Sequence, residues 1–335
     1  MEKLSFNIEW KSLFRIGIFI LAAILIYLAR SEILALLIAI TLSLGLDPII
    51  DWLEKKGIPR ILAVIFLLIA LITIVATTVY LIIPIIFSEL KIIIAQLQTP
   101  IEKMFGINIK TINFLQFTQL INEKINLQSS NWDLILNISH KTILTIATIM
   151  MTFYLMLTKN GLENFLKDIL PNSVERKYLI IFHSFSNKIR KWLLSQIILS
   201  ITIGIVTGIG VWIIGVPYPL LIGFIAALFE IIPFIGPIMV GAIAFIIAMT
   251  QSFILGIYTI VLFIIIHQLE NHIFAPLILG KTMKIHPVIV VFSLLAGANI
   301  AGIAGIILSV PATVLIQEII NDFSNRKKIH QNLGF

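Results

Sequence analysis

Two groups of polar residues interrupt otherwise apolar sequence in the second half of the chain. The first is Glu230, which lies between Phe229 and Ile231. The second is a stretch of five residues near the end of a later apolar run, and it contains Gln268, Glu270, Asn271 and His272. A carboxylate in a lipid-like environment is costly unless it is paired, protonated or hydrated, and burial favours its protonated form. These residues predict a path for a proton, a cation or a small polar solute.

Each group also has a structural interpretation, which stays open at this stage. Glu230 could cap a break in its helix or pair with a neighbouring helix, and the second group could anchor a helix at the membrane interface. On a helix, Gln268 and Asn271 share one face and His267 and Glu270 share another. No two histidines have the i, i+4 spacing of a helical zinc motif, so we predict neither a metal site nor a cofactor.

Two long apolar segments, 219–250 and 287–317, contain residues that break helices. The breaking residues are Pro233, Gly236 and Pro237 in the first segment and Gly297, Gly302, Gly305 and Pro311 in the second. Inside a membrane, such breaks persist only against protein or a water-filled cavity, and a pair of interrupted segments points to a transport site. Asn299 adds an amide to the second segment. We predict broken or re-entrant helices, with kinked packing helices as the alternative.

Composition sets the class of protein that must hold these residues. Of the 335 residues, 59% are hydrophobic and 12% are charged, whereas a soluble domain has about 25% charged residues. Long apolar runs then predict an all-α, polytopic membrane bundle of about eight apolar segments. The chain has no cysteine, which excludes disulfides and thiolate chemistry. No nucleotide-binding glycine loop or serine elbow occurs, so we do not expect an enzyme.

Charge distribution predicts the orientation and the division of the chain. With eight spans, about two thirds of the 24 lysines and arginines lie on the side of both termini, which the positive-inside rule places in the cytoplasm. The basic excess is therefore topological, and no nucleic-acid partner is expected. Asp47 and Pro48 predict a helix end.

The predicted parts are N-terminal spans at 1–87 (a tight hairpin at Arg30 plus a third span), an extracytoplasmic amphipathic helical segment at 88–141, a fourth span at 142–158, a cytoplasmic helical linker at 159–191, a C-terminal transport bundle at 192–320 and a basic cytoplasmic tail at 321–335.

Several motifs, taken in order, resemble the autoinducer-2 exporter family of bacterial and archaeal membrane proteins. The motifs are Gly215-Val216-Pro217-Tyr218-Pro219, Glu230-Ile231-Ile232-Pro233-Phe234-Ile235-Gly236-Pro237, Gln268-Leu269-Glu270-Asn271-His272 and Gly302 to Pro311. The resemblance implies an inner-membrane transporter of about eight spans that forms a homo-oligomer. Members of the family have been linked to export of autoinducer-2, and others to exchange of sodium or lithium for protons.

The sequence thus predicts a secondary transporter, exporter or permease, in the cytoplasmic (inner) membrane of a bacterium or archaeon. It would move a small polar solute or cation, coupled to protons, sodium or lithium. Glu230 would be the coupling group, and the Gln268 to His272 cluster would contribute to the polar lining. The expected partners are the lipid bilayer, the solute or ion and further copies of the chain. The alternative is an oligomeric envelope scaffold without transport activity, in which segment 88–141 and assembly are the function.

Overall fold

A computed structural model describes residues 10–105, 132–232, 235–279 and 286–332, and every regular element in these ranges is a helix. The helices are α1 (Trp10–Leu28), α2 (Arg30–Lys55), α3 (Arg60–Phe105), α4 (Trp132–Leu157), α5 (Gly161–Ile169), α6 (Asn172–Ile213), α7 (Pro219–Phe229), α8 (Ile235–Gln251), α9 (Phe253–Leu269), a π-helical turn (Glu270–Phe274), α10 (Ala275–Ile278) and α11 (Pro287–Asn332). Most of the helices follow from apolar runs, whereas α5 and the first half of α6 carry charged residues.

Length and hydropathy confirm the predicted all-α membrane fold but not the count of eight segments as spans. Five described stretches are long and apolar enough to cross a bilayer: Arg30–Lys55, Arg60–Glu89, Asn172–Ile213, Phe253–Ile278 and Val288–Phe323. A sixth is obtained if α4 and α5, which are bent by 91°, form one broken span. The other apolar stretches, Leu13–Leu28, Pro219–Phe229 and Gly236–Gln251, have 10–17 residues, whereas a spanning helix needs about 20.

The prediction of a tight helical hairpin at Arg30 is wrong. Backbone hydrogen bonds of 2.9 Å continue through the junction, from Ala29 to Leu25 and from Ile33 to Ala29. Ala29 itself has φ −86° and ψ 16°, so the chain bends there without reversing. Neither glycine nor proline occurs at this position, and α1 therefore passes into α2 with its helical hydrogen bonding almost intact.

The prediction of a helix end at Asp47 and Pro48 is also wrong, and ionic contacts between α2, α3 and α6 surround this position. Both residues lie inside α2. The carboxylate of Asp47 binds Arg60 Nη2 at 2.7 Å and Arg190 Nη2 at 2.8 Å. Arg60 Nε also donates to the carbonyl oxygen of Met156 in α4, at 2.7 Å. These contacts hold four helices together at one level of the bundle and offset the hydrogen bond that Pro48 cannot donate.

Close glycine contacts set how α7 lies against α6. A Cβ atom on Gly223 would lie 2.6 Å from the carbonyl oxygen of Gly204 and 2.8 Å from Cα of Gly208. Gly204 also faces Ala227, and Gly208 faces the carbonyl of Pro219. Gly208 contacts Pro219 and Gly223, whereas Gly204, one turn earlier in α6, contacts Gly223 and the later residue Ala227 of α7. The two helices are therefore antiparallel.

Helices α8 and α9 form a second antiparallel pair, joined at Ser252. A Cβ atom on Gly256 would lie 2.7 Å from Met249 Sδ, and one on Gly241 would lie 3.1 Å from Phe263 Cδ1. The hydroxyl of Ser252 accepts a hydrogen bond from the Leu255 amide at 3.1 Å and so caps α9.

The first interrupted segment turns back on itself between α7 and α8. Ile222 and Ile225 of α7 share one buried apolar cluster with Val240 and Ala244 of α8, so the two helices lie side by side. At 1.5 Å per residue, the 11 residues of α7 extend only about 16 Å, about half of the hydrocarbon thickness. The turn that joins them begins at Glu230.

The second interrupted segment also turns back, inside α11. Ala301 (φ −140°, ψ 18°) and Gly302 (φ 57°, ψ −133°) leave the helical conformation, and a Cβ atom on Gly305 would lie 3.1 Å from Cα of Gly297 and overlap its carbonyl. Residues eight positions apart in a straight helix are separated by about 12 Å. The two arms, 287–300 and 303–332, therefore fold against each other, and the prediction of broken or re-entrant helices is confirmed.

Candidate transport site

The antiparallel packing of α6 to α9 brings one level of four segments together. On α6, the pairing of Gly208 and Gly204 with α7 continues by two further turns to Gln196, which comes opposite the end of α7. On α9, the contacts of Gly256 with Met249 and of Phe263 with Gly241 mark a face against α8 that continues to Glu270, opposite the turn that begins at Glu230. The register of apolar helices thus places three polar residues at the same point inside the bundle.

Glu230 and Glu270 form the centre of this site. They are 1% and 6% exposed, and their carboxyl groups are close enough to interact electrostatically. Each has one buried oxygen, Oε2, without a hydrogen-bond partner in the described part of the chain. Two neighbouring carboxylates cannot both stay ionised in a medium of low dielectric constant unless a cation joins them. The pair therefore needs a proton or a cation.

Gln196 supports the pair from α6. Its side chain is 1% exposed, and its amide nitrogen donates to the main-chain carbonyl of Glu230 at 2.6 Å. This carbonyl lies at the end of α7, where the helix no longer supplies a donor. The amide oxygen of Gln196 is buried and has no partner among the described residues, so it is a third free acceptor beside the two carboxyl groups.

Gly236 allows α8 to begin directly against the end of α7. A Cβ atom at this position would lie 2.8 Å from the Glu230 nitrogen and 2.9 Å from the Glu230 Cα. Only glycine fits so close to another backbone. The first turn of α8, which also contains Pro237, therefore lies near Glu230. The partial positive charge of a helix N-terminus favours a negative charge or a bound anion there.

His267 connects the buried pair to the surface. Its Nδ1 lies 3.6 Å from Glu270 Oε2, and its side chain is 40% exposed. The side-chain amide nitrogen of Asn271 lies 3.0 Å from His267 Nε2. Because an amide nitrogen only donates, Nε2 accepts this hydrogen bond, and in the neutral ring Nδ1 carries the proton toward Glu270. At 3.6 Å the two atoms can form an ion pair when the ring is protonated, but they do not share a hydrogen bond.

A π-helical turn lies at the end of α9. It runs from Glu270 to Phe274 and is closed by the Ala275 amide, which donates to the Glu270 carbonyl. Pro276 follows and has no amide hydrogen to donate, yet α10 continues past it, with the Leu279 amide donating to the Ala275 carbonyl at 2.9 Å. Such single π turns are frequent at functional sites. The contact between His267 and Asn271 has the i, i+4 spacing of a regular helix, so it does not depend on the π turn.

The structure brings only some of the predicted site residues together. Glu230, Gly236 and Glu270 meet directly, Pro237 lies in the adjoining first turn of α8, and Asn271 joins through His267. Gln268 and His272 are exposed, and His272 Nδ1 contacts the Gln268 carbonyl at 3.0 Å. Asn299 is exposed just before the reversal in α11, and in the described ranges no hydrogen bond joins it to the pair. Pro233 lies outside the described residues.

Gln196 is the residue of this site that the sequence analysis missed. It is a single amide within an apolar helix, a pattern that is usually a packing feature. The available signal was its spacing of eight and twelve positions before Gly204 and Gly208, since those glycines mark the face of α6 that contacts another helix. Among the described residues, no three His, Cys, Asp or Glu side chains form a group that could hold a metal ion.

Comparison with known proteins gives one family for nearly the whole chain. The family model described as "AI-2E family transporter" matches residues 16–325. "Putative transport protein YrrI" of Bacillus subtilis is 24% identical over 314 residues, which cover 90% of this chain and 89% of the relative. "Putative transport protein YueF" of the same organism is 25% identical, covering 88% and 85%. "Putative transport protein sll0063" of Synechocystis is 25% identical, covering 88% and 78%.

Proposed function

Since the chain belongs to the AI-2E family of membrane transporters, we propose that it is a secondary transporter driven by a proton or alkali-cation gradient. Glu230 and Glu270 take up and release the coupling ion. The transported species is a small polar solute or a cation, and export of an autoinducer-2-like solute is the case that the family description suggests. The chain works in the cytoplasmic membrane as a homo-oligomer.

The observation that carries this proposal is the pair of buried carboxyl groups at the turn between two half-helices. With one proton the pair has a single negative charge, and with a bound sodium or lithium ion in place of that proton its total charge is the same. Proton and alkali cation can therefore replace each other without a change in the charge buried in the bundle. The free oxygen of Gln196 adds a ligand of the kind that holds alkali cations at broken membrane helices.

His267 gives this pair a route for protons. It lies between the exposed surface and Glu270, and its ring can accept a proton on one nitrogen while releasing one from the other. Burial of the carboxyl groups alone would isolate them from water. A partly exposed imidazole at 3.6 Å removes that difficulty and explains why the second polar group lies next to the first.

The test is the internal pH of dye-loaded proteoliposomes that are challenged in turn with sodium, lithium and small polar solutes, including autoinducer-2. We expect a challenge-dependent proton flux in the wild type and its loss in both Glu230→Gln and Glu270→Gln. The matched control is Glu32→Gln, which removes the same charge from an exposed position in α2 and should retain the flux. Wild-type flux in either site variant would remove that carboxyl group from the mechanism.

The orientation needs a separate test at each end of the chain. Charge distribution favours the cytoplasm for both termini, whereas the continuous course from α1 to α2 separates Trp10 from Lys55 along the bundle. Because the chain has no cysteine, single cysteines before α1 and after α11 can be labelled with an impermeant maleimide in intact cells. Protection of both positions supports cytoplasmic termini, and labelling of either contradicts that assignment for its end.

A further inference from the structure

A small polar cavity lies beside the ionic contacts of Asp47, away from the carboxyl pair. Its volume is about 80 Å³, and its walls come from α2, from the bend between α4 and α5, and from α6. Arg190, on α6, is six residues from Gln196 and therefore about 9 Å along the helix from the candidate transport site. We propose that this cavity is a binding site for a small oxyanion with a carboxylate, bicarbonate or phosphate group.

The carboxylates in the wall of the cavity already have cationic partners. Asp47 binds both Arg60 and Arg190. Glu163 binds Lys167 at 2.7 Å and lies 3.6 Å from His183 Nε2. Neither acid is left to attract a cation. The preference of the cavity is therefore set by the groups that remain without partners.

Those remaining groups include several donors. Arg190 donates a hydrogen bond from Nη2 to Asp47, while its Nε is buried and has no hydrogen-bond partner in the described ranges. Ser186 is 6% exposed and lines the cavity together with Asn187. Across residues 10–105, 132–232, 235–279 and 286–332, neither of these two side chains makes a hydrogen bond. The Ser186 hydroxyl is open to the cavity rather than sealed from it, so an oxyanion there could accept a hydrogen bond from it.

The N-terminus of α5 forms the opposite wall. Asn160 precedes the helix with φ 61° and ψ 23°, and its side chain does not cap the first turn. Gly161, Leu162 and Glu163, the first three residues of this nine-residue helix, line the cavity. The Gly161 amide donates to the Thr158 carbonyl at 3.0 Å, which leaves the amide hydrogens of Leu162 and Glu163. Free amide hydrogens and the partial positive charge of a helix start are the common form of an anion site. The guanidinium of Arg190 and this helix start thus favour the same sign of ligand from two sides.

The size of the cavity limits the ligand to a few heavy atoms. Acetate, bicarbonate and inorganic phosphate have four or five heavy atoms and match the available volume. A phospholipid could reach the site only with its phosphate group. We commit to the free oxyanion because the cavity lies among α2, α5 and α6, and because no apolar groove continues from its wall for an acyl chain among the lining residues.

The test is unfolding of the purified full-length chain in detergent with acetate, bicarbonate or phosphate against chloride at equal ionic strength, together with calorimetric titration of the same anions. We expect at least one oxyanion to stabilise the wild type beyond chloride. Ser186→Ala and Asn187→Ala should each weaken its binding by about tenfold. Ser200→Ala, a hydroxyl deletion at a buried position about three to four turns further along α6, should bind as the wild type does.

Three results would overturn the proposal. Equal stabilisation by chloride and by all three oxyanions would exclude a selective site. Oxyanion binding that is unchanged in both Ser186→Ala and Asn187→Ala would place it elsewhere. A response to phosphatidic acid in nanodiscs, without any response to free phosphate or acetate, would identify a lipid headgroup instead. Since none of these measurements depends on flux, the result is independent of the transport proposal.

Discussion

Replacing Gly236 by alanine should displace Glu230 without changing any polar group. The added Cβ atom would lie 2.8 Å from the Glu230 nitrogen and 2.9 Å from both the Glu230 Cα and the Phe229 carbonyl carbon, whereas ordinary contact begins at 3.4 Å. The backbone at Glu230 must therefore move by about half an ångström. All three obstacles are backbone atoms, so no side-chain rotation can relieve the overlap.

Overpacking of this kind costs about 1–3 kcal/mol, which corresponds to about 5- to 150-fold in an equilibrium constant. Functional constellations must be held to within about 0.5 Å, so the shift also reaches the limit that the carboxyl pair can tolerate. We expect Gly236→Ala to lower the free energy of unfolding by about 1–3 kcal/mol. In the proteoliposome assay, its proton flux should fall by about tenfold or more.

The matched control is Gly241→Ala in the same helix. Its Cβ atom would meet the Phe263 ring at 3.1 Å, and an aromatic side chain can shift by the few tenths of an ångström that are needed. Gly241→Ala gains about 1 kcal/mol of helix propensity at an interior position, whereas Gly236 is the second residue of α8 and gains less, so only a loss beyond that difference is assigned to the overlap at Glu230. If Gly236→Ala equals Gly241→Ala in both unfolding and flux, the close approach of α8 to α7 does not control the site.

Three further substitutions test the contacts that hold the bundle together, each by detergent unfolding. Gln196→Leu should lose about 1–3 kcal/mol because the Glu230 carbonyl is left without its donor; an unchanged unfolding curve would contradict the hydrogen bond. Asp47→Asn should lose about 1–2 kcal/mol, because the partly exposed Arg190 loses its anion whereas Arg60 keeps Asp51 and Glu54 at 3.2 Å; a neutral effect would show that the contact is not formed. Gly305→Ala should prevent the reversal in α11 and abolish folded yield. Gly17→Ala, where nothing lies within 4 Å of the added Cβ, should express normally, and equal yields would refute the close contact of the two arms.

The location of the site was within reach of the sequence, but its geometry was not. Glu230 and Glu270 each stood out as carboxyl groups in apolar surroundings, because that cost depends only on the local sequence. Their pairing depends on the antiparallel register of α8 against α9, which is set by contacts such as Gly241 with Phe263. Those contacts join residues that are distant in sequence, and no local pattern specifies them. For the same reason Gln196, an isolated amide in α6, was not identified.

Two misjudged features of the N-terminal half show where local rules fail. Pro48 usually ends a helix, yet α2 continues through it, because Asp47 binds Arg60 and Arg190 and these contacts offset the lost hydrogen bond. The charged break at Arg30 suggested a hairpin, yet Ala29 keeps helical hydrogen bonds on both sides. In each case a contact or a backbone continuity outweighed a residue preference of a few kcal/mol at most.

The sequence by itself determined that this protein is an all-helical membrane protein and where its C-terminal helices break. It also determined which carboxyl groups lie in apolar sequence and therefore need a proton, a cation or a partner. These properties follow from apolar run length and from the backbone chemistry of proline and glycine, both of which act locally. Only the tertiary structure decided that both interrupted segments turn back, that Glu230 meets Glu270, and that an uncapped helix start faces Arg190 across a small cavity. Each of these depends on the distance between helices, which glycine contacts set and which no single segment encodes.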